Sequence, residues 1–361
     1  MPSYTDLGIP TSTSTINVSV FDMASGHDRA PAALFMAPIL PGNENLSGPM
    51  YAFLVEHKAS GRRVMFDLGP RKDLENCVKP LAEMYEKEIF QTFVEKDITE
   101  QLVEGGIPLE SVDTVIWSHS HFDHTGDMAK WPAATQLVVG QGTLLEPFSV
   151  NSKSSLLDSD VSDHKIRKIK FDESSHKFGD FRAVDFFGDG SFYLLDAPGH
   201  LSGHMVALAR VTPTTFLLLG GDTCHHVGQM RPNEHFHRHH PCPGDLLAAA
   251  RSSISTEYFG PTFEDGTFDL ASRKVPLLQI PENTFYEDEP KARETISHLG
   301  VLDANDDVFV IMAHDISLTK VIEKYPARLN AWKEKGWKQK AVWGFVDEKN
   351  PAFIFAPKQG K

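Results

Sequence analysis

Short runs of apolar and β-branched residues, bounded by Gly, Pro, Asn and Asp, alternate along this chain with segments of helical period, the signature of a mixed α/β core. The pattern predicts early strands at 14–20, 32–37 and 50–55, and Arg63–Phe66 closes a hairpin after the turn Ala59-Ser60-Gly61. A helix is expected from about 90 to 105, followed by a buried strand in Ser111–Ser118 and another in Gln136–Val139. Residues 144–190 are polar and rich in Ser and Asp, and read as an insertion or a lid. Strands return at 191–196, 205–210 and 215–220, and Asp307–Met312 is a last buried strand. Helical spacing recurs near 244–256, 289–298 and 321–335. No repeat and no low-complexity linker interrupts the pattern, so one domain over 1–361 is expected, built of two αβ halves, roughly 1–190 and 191–361.

Composition narrows the function classes. A 361-residue chain with 41% hydrophobic content can bury a large core. Its formal charge of −14 argues against a nucleic-acid partner, which needs a field of Lys and Arg. The opening Met-Pro-Ser-Tyr-Thr-Asp-Leu-Gly has neither a charged nor an apolar leader region, and no apolar span is long enough for a bilayer. A cytoplasmic protein without a membrane partner is therefore expected. Three cysteines, Cys77, Cys224 and Cys242, favour a reducing compartment, with a Cys224–Cys242 bridge as the alternative.

The chemistry concentrates in His119-Ser-His121-Phe-Asp123-His124, which packs four potential metal ligands into six residues at the end of the Ser111–Ser118 strand. In extended chain His119, His121 and Asp123 project to one side, and His124 falls in the turn that starts a short helix and faces a second metal. A two-metal site needs further donors, and three more apolar strands end on one: Leu194–Gly199 leads into His200, Phe216–Gly221 into Asp222, and Val308–Ala313 into His314. His and Asp donors suit zinc, while manganese, iron and cobalt are also compatible.

These motifs, together with Asp67-Leu-Gly69 after a strand, resemble the metallo-β-lactamase superfamily in kind and in order. The resemblance implies a four-layer αββα sandwich. It implies that His119, His121 and His200 hold one metal, that Asp123, His124 and His314 hold a second, and that Asp222 bridges them. Asp67 would orient ligands without binding metal, and His204 is read as a supporting or core histidine. An aspartate bridge matches the lactonase, glyoxalase-II and phosphodiesterase branches better than the antibiotic-hydrolysing enzymes. Quorum-quenching lactonases carry a Tyr three residues after that bridge, where this chain has His225, so the electrophile role passes to His225 and the fungal lactamases and lactonases become the closer guess.

The expected activity is opening of a small lactam or lactone, with a bridging hydroxide as nucleophile and Asp123 as proton shuttle, in detoxification of a natural product. The alternatives are a thioesterase of glyoxalase-II or carrier-protein type and a non-catalytic metal- or ligand-binding member. Phenylalanines, of which there are 24 including Phe122, Phe186, Phe187 and Phe236, supply core and a few walls for an apolar or aromatic small-molecule substrate. His225, His226, His235, His237, His239 and His240 crowd into 225–240, read as a loop lining or covering the pocket, with a third metal site including Cys242 as the alternative. Gly199-His-Leu-Ser-Gly203 is not a nucleophile elbow, and no phosphate-binding loop or dinucleotide fingerprint occurs.

Overall fold

The computed structural model describes residues 3–24, 28–260, 266–282 and 284–359. Twelve strands form two six-stranded sheets. The first holds β1 (Ile16–Asp22), β2 (Tyr51–His57), β3 (Arg63–Phe66), β4 (Val112–Ile116), β5 (Gln136–Gly140) and β6 (Ile166–Ile169), in that spatial order. The second holds β7 (His176–Phe178), β8 (Phe181–Asp185), β9 (Phe192–Asp196), β10 (Met205–Thr212), β11 (Thr215–Leu219) and β12 (Val308–Ile311), also as consecutive neighbours. In the first sheet β3 to β6 run parallel, whereas only β11 and β12 do so in the second.

Alternation along each strand explains the layering. Val18, Val20, Phe53, Val55, Phe66 and Ile116 point from the first sheet onto Leu194, Ala207, Leu217, Leu219 and Ile311 of the second. Their strand neighbours Leu54, Met65, Val115 and Leu137 point outward under helix α2 (Ile98–Glu104). On the opposite outer face Leu195, Leu208, Leu218 and Val310 pack against Phe236 of α4 (Glu234–His239), Ala250 of α5 (Gly244–Ser253), Phe259 of α6 (Thr256–Phe259) and Ile296 and Leu299 of α7 (Glu289–Asp303). With both faces covered, the strands read as nearly continuous apolar runs. The result is the αββα sandwich.

Several local expectations change. Residues 32–37 are not a strand: Ala32–Leu34 is a 3-10 turn, Ala30–Pro31 just before it pairs with Asn45–Leu46, and Ala37 makes an isolated bridge to Gln279. Pro31 and Pro38 bracket the segment and cannot donate to a ladder. The helix expected at 90–105 is confined to α2, where Asp97 and Glu100 form a capping box that fixes its start; a separate α1 (Lys79–Glu86) precedes it. Around Pro326 the 321–335 region has only the 3-10 turn Leu329–Ala331, and regular helix waits for α8 (Trp337–Ala341). The polar 144–190 stretch supplies β6, β7 and β8, so the chain passes between sheets between Ile169 and His176 rather than near 190.

No helix among the described residues is long and apolar enough to cross a membrane. All three thiols are free, and Cys224 is buried.

Candidate metal centre

One edge of the sandwich gathers the chemistry, because β3, β4, β9, β11 and β12 all end there. Beyond their last residues lie Asp67, His119, His200, Asp222 and His314. The short helix α3 (Phe122–Thr125) starts immediately after His121, which stands at its N-cap. Asp123 is therefore helical and not part of an extended run, and it turns away from His119 and His121 to join His124.

Two donor groups result, and Asp222 belongs to both: His119, His121, His200 and Asp222, and Asp123, His124, Asp222 and His314, each with ligand atoms within 4.8 Å of one another. His121 Nδ1 lies 2.9 Å from both His119 Nε2 and His200 Nε2. Asp222 Oδ2 is 3.8 Å from His119 Nε2 and 3.6 Å from His200 Nε2. Its other oxygen, Oδ1, is 3.1 Å from His124 Nε2 and 3.2 Å from His314 Nε2, and Asp123 Oδ2 is 3.4 Å from His314 Nε2.

In His119, His124 and His314 the outer ring nitrogen is already engaged, which fixes which nitrogen faces inward, whereas His200 Nδ1 is buried without a partner among the described residues. His124 Nδ1 donates to Asp67 Oδ2 at 2.8 Å, His314 Nδ1 donates to Pro49 O at 3.0 Å, and His119 Nδ1 meets Ser118 Oγ at 3.0 Å. Asp67 also accepts the Ser118 backbone N–H and adopts φ 58°, a left-handed conformation that a non-glycine residue keeps only where its surroundings hold it. His204 Nδ1 donates to Ala197 O, and its Nε2 accepts the backbone N–H of Asp222 at 3.1 Å. Gly221, at φ 48°, leaves no room for a side chain: a Cβ would stand 2.9 Å from His204 Nε2.

This donor set fits a cation. His124 Nε2 and Asp222 Oδ1 are buried without a hydrogen-bond partner, and three imidazole nitrogens converge where one lone pair cannot serve two hydrogens. The two sides differ in charge. Burial, reinforced by neighbouring imidazoles, pushes His119 and His200 well below the ordinary histidine range, and burial brings His121 to about 4. For His314 burial acts the same way, but the carboxylates of Asp222 and Asp123 outweigh it and raise the group to about 10. His124 is raised as well, because Asp222, Asp67 and Asp123 together overcome its burial.

A cavity of about 1220 Å³ opens onto this edge and reaches His121, Asp123, Asp222, His225 and His314. His225 is buried, with Nε2 3.2 Å from Asp222 Oδ2 and Nδ1 2.8 Å from the Tyr286 hydroxyl. One wall is aromatic: Phe35 packs on His225 with ring centroids 4.5 Å apart, and Phe285, Phe90 and Phe122 continue the row at 5.8, 6.1 and 6.3 Å. Of the phenylalanines singled out in the sequence, only Phe122 lines the cavity; Phe186 and Phe236 are core, and Phe187 packs against the inter-sheet core. Tyr286, Phe35, Phe90 and Phe285 were not among the sequence candidates, since no spacing ties them to the histidine motif.

Beyond His225, the histidine-rich segment lies elsewhere. His226 Nε2 bonds Ala352 O and its Nδ1 accepts the Gly228 N–H, His237 Nε2 bonds Arg273 O, and α4 packs on the outer face of the second sheet. Among the described residues no donor group includes any of these histidines or Cys242. The expectation of a pocket-covering loop fails for 226–240, because Phe236 anchors the segment to the core as a helix.

Comparison with known proteins gives the family. Residues 48–254 match the profile of the family described as "Metallo-beta-lactamase superfamily". Gamma-lactamase FDB1 of Fusarium pseudograminearum is 34% identical over 367 residues, covering 95% of this chain and 84% of that protein. Cytochrome P450 monooxygenase mpaDE' of Penicillium brevicompactum is 37% identical over 356 residues, and the chain spans only 38% of its length. A variant of B. thuringiensis AiiA with N-decanoyl-L-homoserine bound at its active site superposes with a TM-score of 0.59 at 14% identity, over 88% of this chain and 100% of that one, a likeness of fold alone.

Proposed function

This chain belongs to the metallo-beta-lactamase superfamily, and we propose that it is a hydrolase of the lactamase and lactonase type that opens a small cyclic amide or ester using two zinc ions. The observation that carries the proposal is Asp222, whose two oxygens each face a separate group of protein donors. His119, His121 and His200 would hold one ion, Asp123, His124 and His314 the other, and Asp222 both. Bound there, the ions would acidify a water molecule and polarise the carbonyl under attack.

The chain's own groups supply the remaining roles. Asp67 and His204 hold His124 and the Asp222 backbone in place. Asp123 lines the cavity with one oxygen directed at His314, so it can take the proton released by the attacking water. As the ring C–N or C–O bond breaks, Asp123 returns that proton to the departing nitrogen or oxygen, leaving an open-chain carboxylic acid that loses its remaining proton to solvent. His225 stands at the cavity edge as hydrogen-bond donor to the oxyanion formed at the carbonyl. The row from Phe35 to Phe122 favours an apolar or aromatic substrate, which stacks on rings rather than pairing with charges.

Metal analysis of the purified chain, with hydrolysis assays on lactams, lactones and thioesters, tests the reading. Two ions per chain, and turnover of a cyclic substrate lost in Asp123→Asn, are expected. Fewer than two ions, or preference for thioesters over every cyclic substrate, would overturn it.

A further inference from the structure

His225 is immobilised on every side but one. Phe35 packs on its ring, the His314 ring lies parallel at 5.7 Å, and His200 meets it edge-on at 5.1 Å. Its backbone N–H donates to Gln229 Oε1 at 2.9 Å. Only the Nε2 edge is turned toward Asp222 and the cavity.

A neutral imidazole carries one N–H, and its position decides whether His225 offers the cavity a donor or a lone pair. Asp222 Oδ2, 3.2 Å from Nε2, is a carboxylate oxygen and can only accept. The hydrogen therefore belongs on Nε2, which leaves Nδ1 as an acceptor. At Nδ1 stands the Tyr286 hydroxyl, 2.8 Å away and able to donate.

We propose that Tyr286 is a positioning residue that locks His225 as the Nε2–H tautomer, the form that donates to the oxyanion of the reacting carbonyl. The inference rests on the hydrolase reading above for that oxyanion, though not for the tautomer itself. Tyr286 is built into this place. It is 5% exposed and lies edge-on to His200 at 5.0 Å. Glu287 N–H and Asp288 N–H donate to His200 O and Gly199 O, and the Thr284 hydroxyl donates to Leu34 O beside Phe35. Burial, followed by Cys224 and Asp222, holds the phenol well above its ordinary range, so it keeps the hydrogen it must donate. Without that hydroxyl nothing donates to Nδ1, and the Nε2–H form rests on Asp222 alone; the Nδ1–H form, which turns an Nε2 lone pair toward Asp222 and the oxyanion, then gains population.

Tyr286→Phe in the full chain tests this with two readouts. Nitrogen-15 NMR of the side chain, in metal-free and zinc-loaded protein, should show His225 as Nε2–H in the wild type and a shift toward Nδ1–H in the variant, which a merely structural role would not produce. On a cyclic substrate, kcat should fall roughly tenfold to a hundredfold, part of the loss expected for an oxyanion donor, with KM changed less than about threefold and zinc content unchanged. His225→Ala combined with Tyr286→Phe should be no slower than His225→Ala alone. An unchanged tautomer in Tyr286→Phe, or losses that multiply in the double variant, would overturn the proposal. If Tyr286→Phe does not fold, 3-fluorotyrosine at 286 preserves size and strengthens the donor; an unmoved His225 Nδ1 resonance then counts against it. If wild-type protein turns over no cyclic substrate, the hydrolase reading fails while the tautomer result still stands or falls by NMR.

Discussion

The two sides of Asp222 are built from similar residues but sit in opposite electrostatic surroundings. Around Oδ2, three imidazoles face one another with a single carboxylate oxygen among them, and burial keeps all three neutral. Around Oδ1, Asp123 and Asp67 add their charge to that of Asp222, and His124 and His314 are raised instead. Metal and proton compete for the same lone pairs. The Oδ2 side is thus emptied of protons by the fold itself, whereas the Oδ1 side keeps them until a metal displaces them. The side that holds protons is also the one that carries Asp123 at the cavity, where the proposed ring opening needs a proton moved.

The largest effect should come from removing what the two sides share. Asp222→Ala is expected to lower kcat/KM on the order of 10³-fold or more and to leave less than one ion per chain by elemental analysis. If one side alone empties, the two are independent and the comparison breaks. A smaller effect, confined to the Oδ1 side, follows from Asp67→Asn, which takes charge from the hydrogen bond to His124. Affinity for one ion should weaken by roughly 10- to 100-fold in chelator competition while the other stays within about threefold; equal weakening of both would remove the asymmetry.

The mildest consequence concerns the metal-free fold. His121, at about 4 when folded against an ordinary 6.5, binds its proton more readily in the unfolded chain, so stability falls as pH drops from 6.5 towards 4. His314, at about 10, stabilises the metal-free fold fully below 6.5 and loses that contribution as pH rises towards 10. Thermal midpoints of the metal-free chain should therefore peak near neutrality and decline on both sides. Saturating zinc should remove the alkaline decline, because the proton on His314 is then gone; a decline that persists with metal bound would argue that His314 is not a ligand.

Where the sequence was legible, the reason was periodicity. Strands such as Arg63–Phe66, Gln136–Gly140 and Thr215–Leu219 are apolar runs ended by turn formers, and four of them terminate next to a donor, so the residues around Asp222 could be collected before any fold was known. Asp67 and His204 carried weaker signals, since a turn aspartate and a core histidine look the same in sequence; their bonds to His124 and to the Asp222 backbone are tertiary facts. The cavity wall was not legible. Phe35, Phe90 and Phe285 of that wall, and Tyr286 bonded to His225, are brought together only by the packing of 28–48, α1 and the approach to α7. In the 144–190 stretch the sheet was hidden for the opposite reason: β6 and β7 are short edge strands with polar outward positions, while Leu144–Pro147 and Ser152–Ser155 line the cavity.

The account is tested most directly by titrating zinc into the metal-free chain at pH 7 in two buffers of different ionisation enthalpy. It predicts two ions per chain, the first bound with little proton release and the second with release of about two protons, from His124 and His314. A single ion, or equal proton release at both steps, would contradict it.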